Sequence, residues 1–186
     1  ACLMRETPKR LDNVTTVVTG SVRQLCLSAE KACRRLGYEP VVLTASLSCT
    51  ARDAGSFLGS IAQFHAEDTH SVAFIAGGET VVRLTGKGKG GRNQEIALAA
   101  AEKIAGMRDC AVFSFGSDGT DGPTDAAGGW CDGDTSRLLS QQGIDIDEVL
   151  IRNDSYHALE RCGGLIMTGP TGTNVNDLSV VLIKRG

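Results

Sequence analysis

Aromatic side chains are scarce: one Trp, two Tyr and five Phe in 186 residues. A surface that grips single-stranded nucleic acid by stacking needs more of them. Charge of one sign is also missing. Nineteen Lys and Arg stand against 22 Asp and Glu, for a net charge of −3. No global field draws such a chain to DNA, RNA or an anionic lipid surface. Long apolar runs are absent too. The longest clean ones, 72–76 and 96–101, fall far short of the ~20 residues that span a bilayer. Neither nucleic acid nor membrane is therefore expected as a partner. The three histidines, His65, His70 and His157, accompany no Ser or Cys nucleophile pattern, and a solvated or capping role is expected of them. Among the seven cysteines there is no CxxC pair and no Cys/His spacing suited to zinc. They read as small core residues of a reducing compartment. No signal-peptide pattern opens the chain. Residues 1–13 are polar, with Pro8 and the Lys9-Arg10 pair. They read as a linker or the remnant of a preceding domain, so the chain is expected to be a piece of a longer one.

What is abundant is glycine, 23 residues in clusters. Clusters mark special backbone rather than low complexity. Between them lies an α/β pattern. The β-branched run 14–19 predicts a strand. Ser21 caps a helix with Val22, Leu25, Cys26, Ala29, Cys33 and Leu36 on one face, closed by Gly37. A short buried strand is expected over 40–43, a loop over 44–50 and a helix over 53–65. Residues 72–76 predict a buried strand, and 80–85 a second one paired to it as an antiparallel hairpin. A helix follows over 92–105, then a strand over 111–115. A long Gly- and Asp-rich loop covers 116–134. Helices over 135–142 and 153–162, a short strand over 165–167 and a closing strand over 178–183 complete the chain. The expected fold is one domain, 14–186. It is a three-layer α/β/α, Rossmann-like, with a mixed, mostly parallel sheet and one hairpin.

Three loops carry candidate chemistry. The first, 86–91, alternates glycine with Lys87 and Lys89 and runs into Arg92 and Asn93 at a helix start. Gly88, Gly90 and Gly91 allow close backbone approach, and free N–H groups at a helix N-terminus favour an anion. The same loop satisfies a literal GxGxxG, the dinucleotide fingerprint. Arg83 in the preceding strand and lysines inside the fingerprint speak against that reading. The second loop carries Asp118, Asp121, Thr124 and Asp125 after a buried strand, where α/β proteins place ligands. Its carboxylates suit Mg²⁺ or the proton of a hydroxyl. The third, 169–177, offers hydroxyls and amides, Asn174 among them, to a polyol or phosphate. Glu79, after Gly77-Gly78, is a candidate ligand-facing acid.

Taken in order, Gly77-Gly78-Glu79-Thr80, the run from Gly86 through Arg92 to Glu95, residues 121–128 and residues 169–177 resemble the class II glycerate kinases. Within them the match is to the C-terminal MOFRL domain. The resemblance implies ATP-dependent phosphorylation of D-glycerate, to 2-phosphoglycerate in most members, with Mg²⁺. It implies two α/β domains with the site in the cleft between them. Arg92 matches the family's active-site arginine. The family's essential lysine lies in the N-terminal domain, which would be this chain's partner, so the chain alone is expected to be inactive. On this reading Arg92 and Asp121 are catalytic. Lys87, Gly88, Lys89, Gly90, Gly91, Asn93, Glu79, Thr124 and Asn174 bind nucleotide, phosphate or substrate, and Asp118 and Asp125 hold metal. A cytoplasmic location is expected, or a mitochondrial one if a targeting segment has been lost; a homodimer stays open. The alternatives are an NAD(P)-dependent oxidoreductase and a non-catalytic ligand-binding or interaction domain.

Overall fold

A computed structural model describes residues 7, 9, 11–15 and 17–185. The elements run α1 (Val22–Arg35), β1 (Glu39–Leu47), α2 (Ala51–Phe64), β2 (Val72–Gly78), α3 (Arg92–Lys103), β3 (Cys110–Gly116), β4 (Gly128–Asp132), α4 (Thr135–Gln141), α5 (Ile146–Arg152), α6 (Ser155–Cys162), β5 (Leu165–Ile166) and β6 (Asp177–Ile183). These strands form one sheet in the order β1-β2-β6-β3-β4-β5.

Local chemistry sets the first helix. The Ser21 side chain accepts from the Gln24 amide at its start, and Gly37 takes the left-handed conformation just past its end, φ 84°. Cys26 and Cys33 are its buried positions. They pack with Ala73, Ile75, Leu178 and Val180 on one face of the sheet. On the other face Val72, Phe74, Val181 and Ile183 meet α2, α3 and the later helices. The alternation 72/74 against 73/75 is the period of two that a strand buried on both faces requires. Three layers result, as expected.

The sheet is mixed, but its pairing is not mostly parallel. Among the described residues only β1–β2 is a parallel ladder; β2–β6, β6–β3, β3–β4 and β4–β5 are antiparallel. Four strands still point one way, with β6 and β4 reversed. The cause is β6, an apolar run that enters between β2 and β3 and hydrogen-bonds to both.

That insertion also removes the expected hairpin. Both edges of β2 are taken, by β1 and β6, so 80–85 finds no ladder there. Instead the Val81 amide donates to the Cys49 carbonyl at 3.0 Å and its carbonyl accepts from Ala51 at 2.9 Å. Two further expectations fail. The described residues of 14–19 form no strand, and Val17 and Val18 are exposed. Residues 44–47 continue β1 rather than forming a loop. The long loop 116–134 contains β4. It starts on Gly128 and Gly129, which bring it against Ser114 and Leu159; without side chains at those positions no periodicity is visible. Helix α5, unforeseen, joins α4 to α6.

Candidate functional site

The three loops and the end of β1 meet at one end of the sheet. Asp177 opens β6 and pairs with Gly78 on one side and Gly116 on the other. It thus stands between the C-terminal ends of β2 and β3. The 116–127 and 169–176 segments are tied together: Val175 donates its amide to Ser117 Oγ at 2.7 Å, and the Ser117 amide donates to the Asn176 carbonyl at 3.0 Å.

Arg92, the first residue of α3, reaches over this junction. Its Nε and Nη2 donate to the two oxygens of Asp177 at 2.5 and 3.1 Å, and Nη1 donates to Glu79 Oε1 at 3.0 Å. The fork matches a carboxylate bidentately, which fixes the guanidinium plane. Asp177 is 5% exposed. Arg92 and Glu79 line a cavity of about 960 Å³ with Ser46, Thr80, Gly88, Gly91, Glu95 and Asn176. The Thr80 hydroxyl is buried and has no hydrogen-bond partner among the described residues.

Asp121 does not face this cavity. It is 2% exposed and sits under the start of α3. One oxygen accepts from the Asn93 amide at 3.1 Å and Asn93 Nδ2 at 3.2 Å, the other from the Gln94 amide at 2.8 Å. The anion expected at this helix N-terminus is thus the protein's own carboxylate, and a catalytic contact for Asp121 is corrected to a capping one. Gly91 must lack a side chain, because a Cβ there would lie 2.2 Å from the Asp121 carboxyl carbon. Asn93 and Thr124 are likewise inside. Asn93 Oδ1 accepts from Ser114, and Gln94 Nε2 donates to Thr124 Oγ1 at 2.8 Å. Both Asn93 and Thr124 are buried beneath the start of α3 and absent from the cavity lining.

Burial raises the Asp121 pKa to about 6, against the lowering effect of its three donors. A native pKa above the unfolded one means that the folded protein holds more protons between about pH 4 and 6. The Asp121 contribution to stability is therefore full below that window and is lost as pH rises through it, by an amount on the order of 3 kcal/mol. Urea unfolding at pH 4.5, 5.5 and 6.5 should show that decline in wild type and a flatter profile in Asp121→Asn. An equal decline in both would contradict the assignment.

The glycine-rich loop is also held differently from expectation. Asn153, left-handed at φ 55°, accepts from the Thr85 and Gly86 amides at 2.8 Å each. It donates from Nδ2 to the Arg83 carbonyl at 3.1 Å and to Glu95 Oε2 at 3.3 Å. The Gly88 amide donates to the Arg152 carbonyl, and the Lys89 amide to Asp154. A Cβ on Gly90 would meet Ser155 Oγ at 2.2 Å. Several of these glycines therefore serve a close approach to the α5–α6 turn, not only to a ligand. Lys87 is exposed and outside the cavity lining. Lys89 turns away, its ammonium 3.6 Å from the Tyr156 ring centre and 3.7 Å from Asp125.

The two expected metal ligands are engaged elsewhere. Asp118 Oδ1 accepts from the Thr120 amide and hydroxyl in its own turn. Asp125 accepts from the Tyr156 hydroxyl at 2.8 Å, which with Lys89 holds its carboxyl below the usual range. Among the described residues no three His, Cys, Asp or Glu gather to hold a metal. Asn174 accepts from the Asn176 amide in a turn. Asn153, Glu95, Asn176 and the 45–48 segment also line the cavity, and of these Asn153 and 45–48 lie outside the loops singled out from the sequence. Asn153 had a readable signal, since Asn after a helix favours the left-handed cap.

Comparison with known proteins decides the family. The MOFRL family matches residues 72–177, more than half of the chain. The chain belongs to the MOFRL family. A D-glycerate 2-kinase of Thermotoga maritima is 47% identical over 185 residues, 97% of this chain and 44% of that protein. A glycerate 2-kinase of Pyrococcus horikoshii is 45% identical, over 95% of this chain and 41% of that protein. A crystal structure of glycerate kinase from Thermotoga maritima superposes with a TM-score of 0.92 at 46% identity, covering 96% of this chain and 44% of that one. This MOFRL chain thus spans less than half the length of these relatives.

Proposed function

We propose that this MOFRL chain forms one wall of a glycerate kinase active site. The observation that carries the reading is Arg92. Its guanidinium is fixed by Asp177 and Glu79 at the edge of a polar-rimmed cavity, in a chain whose Thermotoga maritima and Pyrococcus horikoshii relatives are named glycerate 2-kinases. Phosphoryl transfer needs in-line positioning and neutralisation of charge more than covalent help. Arg92 supplies a pre-oriented cation for the transferring phosphoryl group or the glycerate carboxylate. Glu79 and Asp177 hold that cation in place and are themselves held by the sheet end.

ATP is the donor on this reading. The carboxylates Asp118 and Asp125 do not form a protein cage for Mg²⁺: Asp118 is bonded within its own turn and Asp125 to Tyr156 and Lys89. Mg²⁺ arrives with the nucleotide, as is usual where phosphates supply most ligands. The part of the kinase outside this chain completes the cleft. The NAD(P) reading is less favoured: the glycines of its fingerprint pack on residues 152–155 and Asp121, and the helix N-terminus that would take the pyrophosphate is capped by Asp121.

Thermal melting of a full-length kinase carrying this chain tests the ligand class. D-glycerate with a non-hydrolysable ATP analogue and Mg²⁺ should raise Tm by several degrees at saturating ligand. NAD(P)⁺ should leave it almost unmoved. A shift with NAD(P)⁺ alone would reverse the preference.

A further inference from the structure

Glu95 is a buried carboxylate that the phosphoryl-transfer reading leaves unused. It is 3% exposed, one helical turn after Arg92 on α3, and lines the same cavity. It also lines a smaller adjoining cavity of about 270 Å³ with Arg52, Asp53, Arg83 and Ile151. A lone carboxylate is not stored in a protein interior without reason, because removing it from water costs several kcal/mol. Asn153 donates a side-chain hydrogen bond to its Oε2 at 3.3 Å. On the same cavity wall the buried Thr80 hydroxyl has no partner among the described residues. A buried polar wall with an unmet hydroxyl suits a ligand that brings hydroxyl groups of its own.

Resting on the kinase reading, we infer that Glu95 is the proton acceptor for the attacking hydroxyl of the hydroxy-acid substrate. Arg92, on the same helix, takes the anionic end. The hydroxyl oxygen forms the new bond to the γ-phosphorus, and the bond from that phosphorus to the ADP oxygen breaks. The hydroxyl proton passes to the Glu95 carboxylate and leaves to solvent with the product. Burial pushes the Glu95 carboxyl above the usual range, with Asp121 adding to the rise, while Asn153 and Arg52 oppose it. Such a group is a stronger base than a solvated carboxylate. Asp53 and Arg83 at the adjoining cavity, and Glu79 and Arg92 at the shared one, are the other charged groups lining these two cavities.

The test is steady-state kinetics of Glu95→Gln in a full-length kinase carrying this chain. Gln preserves shape and can still accept from Asn153, so Tm should stay within a few degrees. A hundredfold or greater loss of turnover is expected, with the KM for ATP within threefold and the acidic limb of the turnover–pH profile gone. Turnover within threefold of wild type, or an unchanged acidic limb, overturns the inference while leaving the kinase reading intact. If Glu95→Gln also fails to fold, Glu95→Asp decides. A base role predicts reduced turnover with the acidic limb retained, and full activity in that variant overturns it. Absence of glycerate-dependent turnover in wild type overturns both readings at once.

Discussion

Replacing Arg92 with Ala in the full-length kinase is expected to lower catalytic efficiency by about two to three orders of magnitude, the range for removing one pre-oriented donor from a developing charge. The fork geometry makes Arg92→Lys a sharper probe. Lysine keeps the positive charge near Asp177 but cannot bond both of its oxygens while also reaching Glu79. Its catalytic efficiency should fall at least tenfold. Ala also leaves Asp177, 5% exposed, without its cation, and a buried carboxylate stripped of its partner destabilises the fold. Kinetics should therefore be run well below the melting temperature of the variant. If Arg92→Ala retained kcat/KM within threefold of wild type, the assignment of the anion to Arg92 would fail.

Asn153→Ala is expected to produce the largest loss of stability, about 2–4 kcal/mol. The side chain accepts from two backbone amides and donates to one carbonyl and one carboxylate, and is 6% exposed. Alanine leaves those groups to find water or remain unpaired. It also places a residue of poor left-handed propensity at φ 55°. Asn153→Gly separates the two causes, since it restores the backbone freedom but not the bonds. Gly should recover only a minor part of the loss. The consequence reaches the site, because residues 83–86 lose their side-chain anchor to the α5–α6 turn. Hydrogen exchange of the Thr85 and Gly86 amides should accelerate at least tenfold in both variants. A denaturation midpoint unchanged in Asn153→Ala would contradict this role.

Much of the framework was legible. The apolar periodicity of α1, α2 and α3 placed those helices, and the continuous runs at 72–76 and 178–183 placed two buried strands. Pairing was not legible, because the order of strands is a long-range property. Nothing local in 177–183 says that it enters between β2 and β3, and that single event turned the expected 72–85 hairpin into a connecting segment. The β-branched run 14–19 has strand propensity, but propensity needs a neighbouring strand to act on. For the site, loops 86–91 and 116–127 meet loop 169–177 at one sheet end only because β6 runs antiparallel to β2 and β3, which nothing local in the chain shows. The role of each side chain was not legible either. Asp121 and Asp125 sit four residues apart in one loop, yet one is buried as a helix cap and the other is held outside by Tyr156 and Lys89. Composition cannot distinguish them; packing does. A Glu in a first helical turn is ordinarily solvated, so nothing local marks Glu95 as buried; in the structure it is, with Asn153 donating to it.

The central claim is that these loops are one side of a glycerate kinase cleft. Glycerate-dependent ADP release from ATP–Mg²⁺, measured in parallel for residues 1–186 and for a full-length kinase carrying them, tests it most directly. Activity in the full-length protein and none in residues 1–186 is the predicted result. No glycerate-dependent release from the full-length protein would contradict the claim.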